Sequence, residues 1–424
     1  MSDVTPHNVF TPAKEIQDIE RFAGRVDALD ALSGALQAEG AQLVLYGQRG
    51  IGKSSLARVL GQLAQNEKVA ISRLSEAPFK KFDYLVVSVT CDDSISTVEK
   101  LLVRLLTDDQ ALAPWIPFKV EQKTTSGKIE GQLNVKVIKL KGSAGDSITE
   151  RQTEVEADVT STFINACSNL VGSGVATDGL LIIVDEFDRI NNKSGIASLL
   201  KSLGPERITF AFVGVAGDLN ELIADHESVV RQLADGAIPV PPMREIELAE
   251  IISRAMTALG DKYSFDLGAI TWITRIARGH PFYVHLIGKH ALLRAISLKS
   301  DTVTEEIAKE ALADIAFKGS APIQEALYKK SVGHSYVRET ILKRFASVDS
   351  DEIYTTDLYG DIAKELGIDS SAISVYVGQL ANDKYGSVIE KVRDRYYRFQ
   401  DSLFKAYAAA RPFERKKGDK EVDA

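Results

Sequence analysis

Apolar and polar positions follow two periods along this chain. Short, near-continuous apolar runs occur at 42–46 (QLVLY), 84–90 (YLVVSVT), 180–184 (LLIIV) and 208–213 (ITFAFV). Helical patterns alternate with them, as in FAGRVDALDALSGAL at 22–36 and SSLARVLGQLAQ at 54–65. Strands that read as apolar runs are buried on both faces, and helices between them supply the cover. The predicted fold class is therefore α/β, a parallel sheet with helices on both faces.

One segment breaks the alternation. In SGKIEGQLNVKVIKLKGSAG (126–145), Ile129, Leu133, Val135 and Val137 follow a period of two. This predicts a β-hairpin inserted at about 126–145, before a helix at 151–170. The insert carries Lys128, Lys136, Lys139 and Lys141, which suit either a solvated hairpin packed on its own domain or an arm that contacts a partner.

After Pro241-Pro242 the pattern turns helical, with expected helices at 244–259, 266–278, 281–299 and 303–317. The last opens on Thr302-x-x-Glu305, the spacing of a capping box. From about 321 a further unit is expected, with helices at 335–346, 356–366 and 370–382. Two short strands, SVIEKV and RYYRF, and a helix at 401–411 complete it. Three helices and a two-stranded wing describe a winged helix. The expected organisation is an arm at 1–20, an α/β domain at 21–242, a helical domain at 243–320, a winged helix at 321–412 and a charged tail at 413–424.

Composition narrows the classes. The chain has 424 residues, 45% of them apolar, and a net charge of −8, so no global basic field draws it to nucleic acid. Its two cysteines, Cys91 and Cys167, have no metal-type spacing, which suggests a reducing, cytoplasmic setting. No basic and apolar leader opens the sequence, and the apolar runs fall far short of a membrane span. His280, His285 and His290 recur every five residues, which spreads them around a helix and suits structural roles.

The chemistry begins at LVLYGQRGIGKSS, residues 43–55. Gly47, Gly52, Lys53 and Ser54 fit G-x-x-x-x-G-K-[ST]. Glycines let successive backbone N–H groups turn inward as a nest for phosphate oxygens, and the following helix adds the positive end of its dipole. The cofactor-binding candidates are Gly47, Gln48, Arg49, Gly50, Ile51, Gly52, Lys53, Ser54 and Ser55. Lys53 would reach the β- and γ-phosphates, and the Ser54 hydroxyl would ligate Mg²⁺. LLIIVDEFDRI supplies the second part: Asp185 at a strand end as a Mg²⁺ ligand, and Glu186 as the base for an attacking water. No N-K-x-D motif follows, so ATP is favoured over GTP.

The chain resembles the AAA+/STAND branch of P-loop ATPases, close to prokaryotic ATPases related to origin-recognition proteins. FAGRVDALDAL is similar to the box that precedes the phosphate loop, with Asp27 where Glu is usual, and this adds Arg25 to the cofactor-binding candidates. FVGVAGDLNELI resembles the sensor-1 strand, with Gly217 and Asp218 where a polar residue is expected. HESVVRQL resembles the segment that carries an arginine finger, which implies Arg231. RGHPFYVHLIG resembles the lid helix, with Arg275 and Arg278 upstream of it. RYYRFQDSLFKAY is similar to the end of the winged-helix domain.

The resemblance implies an ATPase, with sensor departures that point to slow turnover, that works as a nucleotide-dependent switch on a protein partner or on itself. Two alternatives stand beside it. One is an origin-type DNA-binding initiator or regulator in which ATP is mainly structural. The other is an interaction subunit of a larger defence or signalling assembly. The helix at 370–382 offers no Lys or Arg, so DNA contact would fall to Lys391, Arg393, Arg395 and Arg398 on the wing. Residues 321–424 hold 17 basic and 17 acidic residues, a neutral balance that leaves the DNA question open.

Overall fold

The structure, a computed structural model, describes residues 4–125, 128–139, 151–203, 207–216, 233, 235–317, 322–348, 350, 352–411 and 413. The chain divides into two compact units, Glu15–Pro241 and a second made of Met1–Lys14 with Pro242–Ala424. Among the described residues no helix is long and apolar enough to cross a membrane.

The first unit runs in chain order through α1 (Val26–Gln37), β1 (Leu43–Gly47), α2 (Lys53–Ala64), α3 (Lys68–Ile71), β2 (Tyr84–Thr90) and α4 (Val98–Thr107). It continues with β3 (Phe118–Thr125), β4 (Lys128–Lys139), β5 (Arg151–Asp158), α5 (Val159–Gly172) and β6 (Gly179–Asp185). It closes with α6 (Ile196–Leu203), β7 (Ile208–Val215) and β8 (Ala237–Pro239). Five strands make one parallel sheet in the order β2-β6-β7-β1-β8.

The central strands β1, β6 and β7 are buried on both faces, which is why they read as unbroken apolar runs. Leu43, Leu45, Leu181, Ile183, Ala211 and Val213 join the core with α1 and α2. Val44, Leu180, Ile182, Val184, Phe210 and Phe212 join the opposite core with α4, α5 and α6. Residues one apart thus serve opposite faces, as the pleat requires. Gln42 is fully buried and extends the pairing of β1 and β7 with its side chain. Its amide donates to Ile208 O at 3.1 Å and accepts from the Phe210 N–H at 2.7 Å.

The inserted segment differs from expectation. Residues 128–139 form one strand, not a hairpin, and it is the centre of a three-stranded antiparallel sheet in the order β3-β4-β5. Val135 pairs with Val120 on one side and Val155 on the other. Residues 151–158, expected as the start of a helix, are the third strand. The helix begins at Val159, where the Asp158 carboxylate caps it by accepting from the Ser161 N–H at 2.8 Å. Pairing across β4 overrides the helical leaning of the charged stretch RQTEVEAD.

In the second unit the helices are Glu245–Ala258, Leu267–Ala277, Pro281–Ser297 and Glu305–Phe317, followed by Pro322–Val332, Tyr336–Ala346, Thr355–Leu366, Ser370–Leu380 and Ser402–Ala410. The last three-stranded sheet places Tyr396–Phe399 between Ile353–Tyr354 and Ile389–Arg393. The first residues turn into this unit instead of extending. The Val9 N–H donates to Thr5 O at 2.9 Å, and Val9 and Phe10 are buried. The Phe10 ring meets Phe265 and His285 edge-on, each with centroids 6.0 Å apart. His285 Nδ1 accepts from the Thr11 N–H at 3.3 Å. Glycine at position 288 makes room for this seat: a Cβ there would lie 2.9 Å from the Phe10 ring and would push it aside. Further along, Tyr283 donates to Asp401 Oδ1 at 2.5 Å and Gln324 to Asp401 Oδ2 at 3.1 Å, which ties the 281–297 helix to the start of the 402–410 helix.

Candidate nucleotide site

β1 ends at Gly47 and α2 begins at Lys53, so residues 48–52 form the loop between them. Gly47 has φ 156°, and a Cβ there would stand 2.6 Å from Val240 O, so the backbone leaves β1 where no side chain fits. Gly50 and Gly52 are left-handed, at φ 74° and 97°. Gln48, Arg49 and Gly50 are exposed at the loop's crest, while Ile51 is buried in the α1–α2 core and plugs the loop onto it.

Arg25 sits behind this loop. Its backbone is left-handed at φ 64°, and its buried guanidinium donates to Ile51 O at 2.7 Å and Pro241 O at 2.5 Å. Charge-assisted bonds of this kind contribute about 1.5–3 kcal/mol each, enough to offset the backbone conformation. The structure therefore places Arg25 on the loop's backbone, as a brace between the loop and the end of β8.

Lys53 is 8% exposed, and its ammonium donates to Gly47 O at 3.0 Å and Gln48 O at 2.7 Å. Burial lowers its pKa to about 8; Asp188 and then Asp185 act against that, and Arg49 adds to the lowering. The two carboxylates thus lie within electrostatic reach of the loop's lysine. Ser54 and Ser55 occupy the first turn of α2, where backbone N–H groups lack helical partners. The Ser55 hydroxyl accepts from the Ile16 N–H at 3.1 Å, so the chain before α1 lies on α2 beside the loop.

At the end of β6, Asp185 O accepts from the Cys91 N–H at 2.8 Å, and Asp185 Oδ1 accepts from the Glu186 N–H at 2.8 Å. Glu186 is left-handed at φ 53° and leads into a 3-10 turn, Phe187–Arg189. Its carboxylate pairs with Arg189, which also donates to Asp93 Oδ1 at 3.1 Å. The Glu186 and Arg189 side chains are 45% and 40% exposed, and an exposed pair contributes only about 0–1 kcal/mol. Glu186 is therefore held loosely and can exchange Arg189 for another partner. Burial, first, and the carboxylates of Asp185, Asp92, Asp188 and Glu186 push the Cys91 thiol up to about 12, so it stays protonated.

Asp188 stands in the same DEFD run and lies beside the candidate residues, although the spacing argument passed over it. Its Oδ1 accepts from the Val215 N–H at the end of β7, at 2.8 Å. The signal for it lies in strand order, which a single motif does not carry. Among the described residues no group of three or more His, Cys, Asp or Glu could hold a metal alone. Magnesium is commonly bound through one or two carboxylates, waters and substrate phosphates, so a hydroxyl at Ser54 and a carboxylate at Asp185 fit it as donors.

Arg231, Gly217 and Asp218 lie outside the described residues. On the C-terminal hairpin the four candidate cations are exposed or half-buried, and each has a carboxylate partner. Lys391 pairs with Asp394 at 3.4 Å, Arg393 with Glu352 at 2.7 Å, Arg395 with Asp394 at 3.6 Å, and Arg398 with Glu390.

The sheet order and the loop give residues 15–241 the form of a P-loop nucleotide-binding domain. In this sheet β7 alone separates β1, which leads into the phosphate loop, from β6, which carries the acidic pair. Residues 21–213 match the family model of the AAA ATPase domain, and that segment of the chain is such a domain. No curated protein matches the sequence.

Among solved structures, the chain is similar to the Thermotoga maritima RuvB Holliday junction branch migration motor, at 16% identity and TM-score 0.42, over 92% of this chain and 98% of that one. It is similar to Cdc6p from Pyrobaculum aerophilum at 14% and 0.46, over 96% and 97%. It is also similar to the Aeropyrum pernix ORC2 protein in ADPNP–ADP complexes at 14% and 0.48, over 95% and 97%. At these values no activity, ligand or partner passes from those proteins to this chain.

Proposed function

We propose that the chain is an ATP-binding and ATP-hydrolysing molecular switch of the AAA+/STAND type, close to the ATPases related to origin recognition. The observation that carries this reading is the sheet order: parallel β1 and β6 deliver the loop of Lys53 and the pair Asp185-Glu186 to the same end of the sheet, one strand apart. The N–H groups of residues 48–55 and the Lys53 ammonium bind the phosphates. On binding, Lys53 trades its two loop carbonyls for phosphate oxygens.

Ser54 and Asp185 would hold Mg²⁺, which would neutralise charge on the phosphate oxygens. Glu186 leaves Arg189, orients the attacking water and takes its proton. Arg231 stabilises the charge developing on the γ-phosphate, supplied from a second copy of the chain. Nucleotide state then sets the contacts that the lid and the C-terminal winged helix make with a protein partner or with further copies, in the cytoplasm.

A second reading, DNA binding by the wing, is favoured by Lys391, Arg393, Arg395 and Arg398 clustering on one hairpin. Their ion pairs are exposed and weak enough to open to phosphates.

Lys53→Ala tests the site. It should abolish tight binding of a fluorescent ATP analogue, because the lysine is the mobile cation that meets the most highly charged part of the ligand. An affinity equal to that of the wild type would overturn the assignment.

A further inference from the structure

The β6–β7 ladder ends at Val184 opposite Phe212. β7 continues to Val215, whose register partner in β1 is Gly47, the first glycine of the phosphate loop. On the β6 side, therefore, the strand pairing stops short of Val215. The half-buried Asp188 carries it onward, since its Oδ1 accepts the Val215 N–H at 2.8 Å. A backbone N–H at a sheet end needs an acceptor, and here a side chain from the neighbouring turn supplies it.

The turn that carries Asp188 is pinned on its apolar side as well. Phe187 is fully buried, and its ring centroid lies 4.4 Å from that of Phe212 on β7. Asp188 and Phe187 together hold the turn after β6 to β7. The same β7 tip pairs with Gly47, whose carbonyl holds the Lys53 ammonium. A single chain of contacts thus runs from the turn after Glu186, through the β7 tip, to the loop.

We propose that Asp188 is a positioning residue of the ATPase: by bonding the tip of β7 it keeps Glu186 in register with the phosphate loop. The proposal rests on the reading of Glu186 as the base. A displacement of about 1 Å at a reacting group can cost on the order of 10² in rate, so losing the pin should slow turnover and spare binding.

Two substitutions separate the pin from mere folding. Asp188→Ala removes the acceptor; Asp188→Asn keeps an Oδ1 that can accept the same N–H. Asp188→Ala should lower kcat about 10²-fold with the affinity for a fluorescent ATP analogue within about threefold of wild type. Asp188→Asn should recover kcat to within about tenfold. Hydrogen exchange at the Val215 amide, read without nucleotide, should quicken in Asp188→Ala and not in Asp188→Asn. That readout stays informative even if Glu186 is not the base, because it does not depend on turnover. Unchanged kcat in Asp188→Ala, equal loss in both variants, or a Val215 amide that exchanges alike in all three proteins would overturn the proposal.

Discussion

At the residue scale, the site is built from groups held at less than full strength. Lys53 rests on carbonyls that phosphate oxygens can replace, and Glu186 rests on an exposed arginine. The C-terminal region shows the opposite case. Glu325 accepts from Arg411 through both carboxylate oxygens at 2.8 Å and from the Tyr407 hydroxyl. The Arg411 bonds hold its carboxyl at about 2, below the ordinary 4.5. A depressed carboxylate adds stability that is complete above the ordinary value and is lost as pH falls through the folded one. Denaturation of the wild type should therefore show a steeper loss of stability between pH 4.5 and about 2 than Glu325→Gln shows. Parallel pH profiles for the two proteins would contradict this.

At the scale of elements, what could be read in advance depended on how local the cause was. β1, its loop and α2 were legible because the glycine and lysine spacing is itself the structure of the loop. β6 and its acidic end were legible because a strand buried on both faces leaves an unbroken apolar run. The strand at 151–158 was not, since its charged residues lean toward helix and only pairing with β4 decides otherwise. Asp188 was not, because its partner Val215 comes from a strand 27 residues away.

The seat of Phe10 was hidden for a related reason. Two apolar residues, Val9 and Phe10, show no period, and the glycine that receives Phe10 is Gly288. Replacing a fully buried phenylalanine with alanine costs about 3–5 kcal/mol. Phe10→Ala should lower the unfolding free energy of the 242–411 unit by that order in urea. A change below about 1 kcal/mol would mean that the arm contributes little to it.

At the scale of the whole molecule, an AAA ATPase domain shares one chain with a helical region and a C-terminal hairpin of paired cations. If the wing meets DNA, contact must come through Lys391, Arg393, Arg395 and Arg398, because the Ser370–Leu380 helix has no Lys or Arg. Such contact would be to phosphates, with little sequence preference and steep salt dependence. Reversing Arg393 and Arg395 to Glu should abolish a mobility shift seen at low salt while leaving ATP-analogue binding intact. No shift under any salt or nucleotide condition would remove the DNA reading and leave a protein partner as the target of the switch.

The central claim is that the residues at the ends of β1 and β6 bind ATP and hydrolyse it. Phosphate release by Glu186→Gln, measured beside binding of a fluorescent ATP analogue, tests it most directly. The carboxamide keeps the shape of the side chain and cannot take the proton of the attacking water. The variant should bind with wild-type affinity and turn over more slowly by about 10² or more. Turnover equal to that of the wild type would contradict the claim and place the base elsewhere.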